Sequence, residues 1–211
     1  MFNISEIMWS SMEKKNKVDP DKFPIVHRSD LQIFGSLPPL SLKNGPWVAG
    51  GAAVKWFMDQ PIGQSDIDVF CSSAQQCTNT VNHLKKNGFR ERLSTPNAIT
   101  LQYSVYPTYT IQIIRKKFFT DIDALLSQFD ISACAIATDG VTFYVSDKNT
   151  IPDIRNRIVR FRRYAPTSIK RYLKYSCYGF KAPPHQLQDI LDSIPEDYDF
   201  ISEMGDYDGA F

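Results

Sequence analysis

Residues 47–71 read WVAGGAAVKWFMDQPIGQSDIDVFC. An apolar run, Trp47-Val48-Ala49, reaches the pair Gly50-Gly51, and the following AAVKWFMDQ is compatible with a helix. A loop punctuated by Pro61, Gly63 and Ser65 then leads to Asp66-Ile67-Asp68 within the β-type run IDVF. Side chains alternate between faces along a strand, so Asp66 and Asp68 share one face while Ile67 enters the core. Two carboxylates on one face repel unless a divalent cation sits between them, and oxygen ligation with open positions suits Mg²⁺. Glycines ahead of a helix let backbone N–H groups approach phosphate oxygens, where the helix dipole also favours negative charge. A phosphate cradle beside a carboxylate pair is the equipment of metal-assisted phosphoryl transfer.

The 211 residues suit one domain, or one domain with a small helical appendage. At 43% hydrophobic and 13% aromatic the chain can bury a core, and a net charge of +1 leaves any nucleic-acid signature local. Cys71, Cys77, Cys134 and Cys177 are scattered, with no Cys-x-x-Cys pair, which argues against a zinc site or a disulfide scaffold and suits a reducing compartment. No apolar segment approaches membrane-spanning length, and MFNISEIMWSSMEKK does not read as a signal peptide. A cytoplasmic protein without a membrane partner is expected.

Before the central stretch, Ile4, Ile7, Met8 and Met12 predict a short amphipathic helix over 3–15 that packs on the domain; KKNKVDPDKFP then reads as loop and LPPLSLKNGP as an extended lead into the first strand. After it, SSAQQCTNTVNHLKKNGF predicts a helix closed by Gly88, with Val81 and Leu84 facing the core. Strands are expected over 98–105 and 109–115, joined at Pro107, and then a helix over 120–129 with Thr120 as its cap. FDISACAIA and VTFYVS flank Thr138-Asp139-Gly140 as a hairpin. From residue 151 the charge splits. Arg155, Arg157, Arg160, Arg162, Arg163, Lys170, Arg171, Lys174 and Lys181 face Asp153 alone, whereas 182–211 is acidic with no Lys or Arg. APTSIKRYLKYSCYGF predicts a helix capped by Thr167 or Ser168, with Ile169, Tyr172, Leu173 and Cys177 as its apolar stripe. Its basic residues are either a solvated face offset by the acidic tail, or a face turned to the cleft to meet polyphosphate.

Gly-Gly, a short helix and then Asp-x-Asp on a strand resembles the polymerase-β-type nucleotidyltransferase superfamily. Within it the stretch looks most like the head domain of class II CCA-adding enzymes and bacterial poly(A) polymerases, with Lys55 near the family's arginine. YTIQIIRKKF is similar to a family strand ending in an arginine, which makes Arg115 a candidate. FDISACAIATDG resembles the segment that places Asp130 at a family aspartate, although Gln128 and Phe129 stand where an arginine pair would be and Cys134 stands near an asparagine. Asp130 is either a third carboxylate of the metal site or a turn residue. The other geometric position for such a carboxylate holds the uncharged Gln112. The helix after residue 165 looks like the family's neck helix, with Arg171 and Lys174 near its arginines but without its leading acidic pair.

The resemblance implies an α/β (α+β) fold: a mixed-sheet nucleotidyltransferase domain over 47–150, after a lead-in over 1–46. A basic helical segment and acidic tail follow over 151–211. It implies a Mg²⁺-dependent transfer of a nucleoside monophosphate from an NTP, ATP among them. The acceptor would be an RNA 3′ end such as that of tRNA, a protein or a small molecule. Asp66 and Asp68 would hold two Mg²⁺ ions, with Asp130 as the candidate third catalytic carboxylate. Gly50, Gly51, Lys55, Arg115, Arg171 and Lys174 would bind the nucleotide. The alternative is a catalytically inactive regulator that binds nucleotide or RNA on the same fold.

Overall fold

In the computed structural model, which describes residues 26–103, 108–164 and 166–195, the chain builds a seven-stranded sheet. The strands are β1 (Trp47–Ala49), β2 (Ile67–Phe70), β3 (Arg90–Ser94), β4 (Ala98–Tyr103), β5 (Tyr109–Ile114), β6 (Ile136–Thr138) and β7 (Phe143–Val145). Their order is β3-β4-β5-β2-β1-β6-β7, with β2 and β5 parallel and every other pair antiparallel. This is the mixed sheet expected from the sequence. The helices are α1 (Leu31–Gly35), α2 (Gly51–Phe57), α3 (Ala74–Lys86), α4 (Ile122–Leu126), α5 (Thr150–Asn156), α6 (Pro166–Ser176) and α7 (Pro184–Asp192).

Alternation along the strands decides which face each residue serves. Val48, Ile67, Val69, Leu101, Ile111 and Ile113 enter a large core with Ala53, Val54 and Trp56 of α2 and Val81 and Leu84 of α3. Trp47, Ala49, Ala135 and Ala137 point the other way and pack with Ile122, Leu125 and Leu126 of α4. Each aliphatic side chain fully removed from water in these layers contributes about 1.5–3 kcal/mol. The second face is therefore covered by α4 over β1 and β6, while Asp66, Asp68 and Gln112 occupy its central part.

Several expectations shift when the side chains are placed. The cap of α4 is Asp121, whose carboxylate accepts from the Ala124 N–H at 2.7 Å, while Thr120 donates to Asp121 instead of capping. Ser168 lies inside α6, fully buried, and donates to Asp130 at 2.8 Å, so it does not cap that helix. The buried side of α6 runs through Ser168 and Tyr175, with Ile169 and Tyr172 partly buried, whereas Leu173 is 56% exposed and Cys177 is exposed. Of the expected apolar stripe, Ile169 and Tyr172 thus pack against the core while Leu173 and Cys177 turn outward, and Ser168 joins the contact face because a carboxylate draws it inward. FDISACAIA yields a 3₁₀ turn at Ser132–Cys134 before β6, and the hairpin at 138–140 forms with Asp139 accepting from Val141 and Thr142. The expected helix over 3–15, the turn at Pro107 and the acids beyond residue 195 lie outside the described residues.

Candidate active site

The register of β1 against β2 brings the two motifs together. Val48 pairs with Val69 and Trp47 with Phe70, antiparallel, so the end of β1 and the Gly50-Gly51 turn reach the end of β2 where Asp66 and Asp68 stand. Gly50 adopts φ +74° and ψ −138°, a conformation open to glycine, and a Cβ there would lie 2.9 Å from Phe129. Its N–H is already engaged, donating to the Ile136 carbonyl at 3.0 Å. The expectation that both glycines offer N–H groups to phosphate is therefore corrected: β1 extends its pairing with β6 through Gly50. Gly51, at the start of α2, lines a cleft with Lys55, Ser65, Asp66, Lys174, Tyr175 and Tyr178.

Asp68 is buried, 3% exposed, and its Oδ1 has no hydrogen-bond partner. Asp66 is half-buried and accepts a hydrogen bond from Gln112 Nε2 at 2.9 Å on Oδ2. Gln112 is also the strand partner of Asp68 across the parallel β2–β5 pair. Burial pushes the Asp68 carboxyl up to about 8, the neighbouring Asp66 pushes the same way, and Lys174 opposes both. Asp66 is raised by burial and lowered by Lys174. A dry pair of carboxylates with an orphaned oxygen stays fully ionised only when a cation joins it. The residues present fit a divalent ion that keeps water and substrate oxygens in its remaining positions. Among the described residues no three His, Cys, Asp or Glu side chains gather as a metal site, so the pair stands without a third acid.

The cationic candidates divide. Lys174, exposed on α6, lines the cleft with Asp66. Lys55 does so too, but its ammonium donates to the Ile62 carbonyl at 2.8 Å and to Ser65 at 2.5 Å, fastening the loop that precedes Asp66. Burial lowers the Lys55 pKa first of all; Tyr178, whose ring lies 5.4 Å away, raises it, and Lys174 lowers it further. Arg115 is not at the cleft. It follows the last residue of β5, beyond the Phe70–Ile114 pair, roughly 10 Å along the strand from Gln112. There it donates to the Thr95 carbonyl at 2.7 Å and Ser94 at 3.0 Å, tying the β3–β4 turn.

Asp130 and Arg171 form an ion pair at 2.5 Å, and Ser168 donates to the same Asp130 oxygen. Asp130 thus anchors α6 and does not join Asp66 and Asp68. Its backbone carbonyl accepts from Arg162 N–H at 2.6 Å, which adds the turn role. Sequence reasoning missed the aromatic wall of Tyr175 and Tyr178, because the expected stripe of α6 runs from Tyr172 through Leu173 to Cys177 and leaves Tyr175 out. Tyr175 is buried, and a Cβ at Gly51 would lie 3.9 Å from its hydroxyl.

Solved structures of similar shape define the fold. A CCA-adding enzyme complexed with CTP matches with a TM-score of 0.56 at 15% identity, over 80% of this chain and 43% of that one. A tRNA nucleotidyltransferase complexed with a primer tRNA and an incoming ATP analogue matches at 0.51 and 13% identity, over 70% of this chain and 46% of that one. A CCA-adding enzyme complexed with ATP gives 0.51 at 14% identity, over 69% and 36%. The chain spans less than half the length of these proteins. Its fold is that of the polymerase-β-type nucleotidyltransferases. The chain belongs to the Gabija anti-defense 2 family, whose sequence model matches residues 7–157. A search of curated proteins gives no significant match. Among the described residues no helix is long and apolar enough to cross a membrane.

Proposed function

We propose that the protein is a Mg²⁺-dependent nucleotidyltransferase that moves a nucleoside monophosphate from an NTP to an acceptor. In this reading the transfer is the means by which it counters the Gabija defence named in its family, and it takes place in the cytoplasm. The observation that carries the proposal is the orphaned oxygen of buried Asp68 beside Asp66, which lines a cleft with Gly51, Lys55 and Lys174.

In this reading Asp66 and Asp68 hold the metal. A magnesium ion held by these two carboxylates would supply Lewis acidity toward the acceptor hydroxyl and positive charge against the leaving pyrophosphate. Gln112 fixes the Asp66 carboxylate through its 2.9 Å hydrogen bond. Lys174 draws the triphosphate into the cleft, and the bare α-carbon of Gly51 admits it close to the start of α2. Lys55 acts on the loop before Asp66, holding Ile62 and Ser65 in place. The Asp130–Arg171 pair acts at one remove, fixing α6 so that Lys174 and Tyr175 face the cleft. The acceptor oxygen attacks the α-phosphorus, its proton is lost, and the bond to pyrophosphate breaks. Positioning and electrostatics supply the acceleration, and no nucleophilic side chain is required. The domain over 47–150 then carries the chemistry, and the segment after 150 walls the cleft.

A second reading is favoured by one observation: Gln112, uncharged, stands on β5 beside Asp68 where a third carboxylate would complete the site. A catalytically inactive binder of nucleotide or RNA would need nothing more. Incubation with each α-³²P-labelled NTP, Mg²⁺ and cellular acceptors separates the two. Label transferred by wild type and lost in Asp68→Asn supports the enzyme; nucleotide bound but never transferred supports the binder.

A further inference from the structure

The sheet face that carries Asp66 and Asp68 does not end at Gln112. Paired residues in adjacent strands point to the same side, so the register can be followed outward from the cleft. Asp68 pairs with Gln112, Gln112 with Thr100, and Thr100 with Leu93. One step along, Thr110 pairs with Gln102, and Gln102 with Arg90. The register shifts between Glu91 and Leu93, which inserts Arg92 as an extra residue in β3. A bulge of this kind re-aims a side chain. Arg92 donates to Gln102 Oε1 at 2.9 Å, so it joins Arg90 on the carboxylate face. Glu91 points to the opposite face, where it pairs with Lys85 of α3 at 2.7 Å. All of β3 is exposed, and Thr100, Gln102 and Thr110 are half-buried. None of these face residues belongs to the core packed under α4, which covers β1 and β6.

We propose that this face is the acceptor track, and that the acceptor is a nucleic-acid strand whose phosphodiester backbone crosses Arg90 and Arg92 while its terminal hydroxyl lies at Asp66 and Asp68. The proposal rests on the nucleotidyltransferase reading and adds the acceptor's class. The three interstrand steps from β2 to β3 span roughly 14 Å, so the arginines meet phosphates upstream of the reacting end. Across β3, β4 and β5 the face offers two guanidiniums, hydroxyls and the amides of Gln102 and Gln112, and no carboxylate. Arginine forks and neutral donors of this kind are the partners of phosphate and sugar oxygens. No aromatic side chain lies in the two rows, so the track grips backbone and leaves base identity unread. A folded protein acceptor would need apolar pockets, and within these two rows Leu93 alone offers apolar surface.

The test is fluorescence anisotropy of the full chain with short fluorescein-labelled single-stranded RNA and DNA, across a salt series and without NTP. Wild type is expected to bind. The Arg90→Ala/Arg92→Ala variant should bind about tenfold more weakly, and its log–log salt slope should be shallower by about 1.4, the share of two phosphates on a single strand. Arg90→Lys/Arg92→Lys should keep the slope, which separates lost charge from the lost Arg92–Gln102 hydrogen bond. Unchanged binding and slope in the alanine variant would overturn the track. Absence of oligonucleotide binding by wild type would overturn it in favour of a protein or small-molecule acceptor. Binding of Mg²⁺–NTP by calorimetry is read in parallel. Its persistence in all variants isolates failure of the track, and its absence from wild type would be failure of the underlying reading.

Discussion

Gln112 donates a 2.9 Å hydrogen bond to Asp66 while standing directly beside Asp68 in the β2–β5 register. One neutral amide thus orients one carboxylate and adds no charge next to the other. Gln112→Glu converts this position to a third acid. Without Mg²⁺ the new charge should lower the melting temperature, since three acids then share a dry corner. With saturating Mg²⁺ the loss should be recovered and the ion bound more tightly. Calorimetric titration and thermal melts with and without the metal check both halves.

Asp68 gives a pH signature. Its carboxyl, ordinarily near 3.8, is raised to about 8 by burial and then by Asp66. The native state therefore holds this proton more tightly than the unfolded chain, and the group costs stability progressively as pH rises from 3.8 to about 8. The slope is at most about 1.4 kcal/mol per pH unit. Asp68→Asn removes that cost. In EDTA its melting temperature should exceed that of wild type by a margin that grows through this window and levels off above it. Saturating Mg²⁺ should favour wild type instead. Parallel melting curves at all pH values would contradict the burial account.

The two glycines should separate cleanly. Gly50→Ala forces a side chain into φ +74° and against Phe129 at 2.9 Å, and should cost about 1–3 kcal/mol in urea unfolding. Gly51→Ala meets only the Tyr175 hydroxyl at 3.9 Å, so stability should hold. Its effect should appear as weaker NTP affinity.

Asp130→Ala breaks the Asp130–Arg171 pair on a largely buried helix face and removes the acceptor of Ser168, and should destabilise by about 3–5 kcal/mol. The remaining folded protein should bind Mg²⁺ with unchanged affinity. A tenfold loss of Mg²⁺ affinity with an unchanged melting temperature would instead give Asp130 a metal role.

Much of this was legible in the chain. Asp66-Ile67-Asp68 announces its face by alternation alone, and Trp47-Val48-Ala49 before Gly50-Gly51 announces a strand meeting a turn. What the sequence hid depended on partners distant in the chain. The exposed RERLS of β3 shows no apolar alternation, and it is a strand because β4 pairs with it. Arg115 falls at the right place in a motif, yet the register carries it past the cleft to the β3–β4 turn. Asp130 looks like a ligand until Arg171 and Ser168 come to it from a helix 38 residues away. The mixed sheet followed from the family resemblance carried by the Gly-Gly and Asp-x-Asp stretch; the division of charges between cleft and scaffold required the fold.

The most direct measurement is transfer itself. Purified wild type, Asp66→Asn and Asp68→Asn are incubated with α-³²P-labelled NTPs, Mg²⁺ and purified Gabija components with their nucleic acids, and each fraction is examined for label. The account predicts label from at least one NTP in an acceptor with wild type, and none with either variant although both remain folded. A folded Asp68→Asn protein that transfers label, or counters the defence, as well as wild type would contradict it.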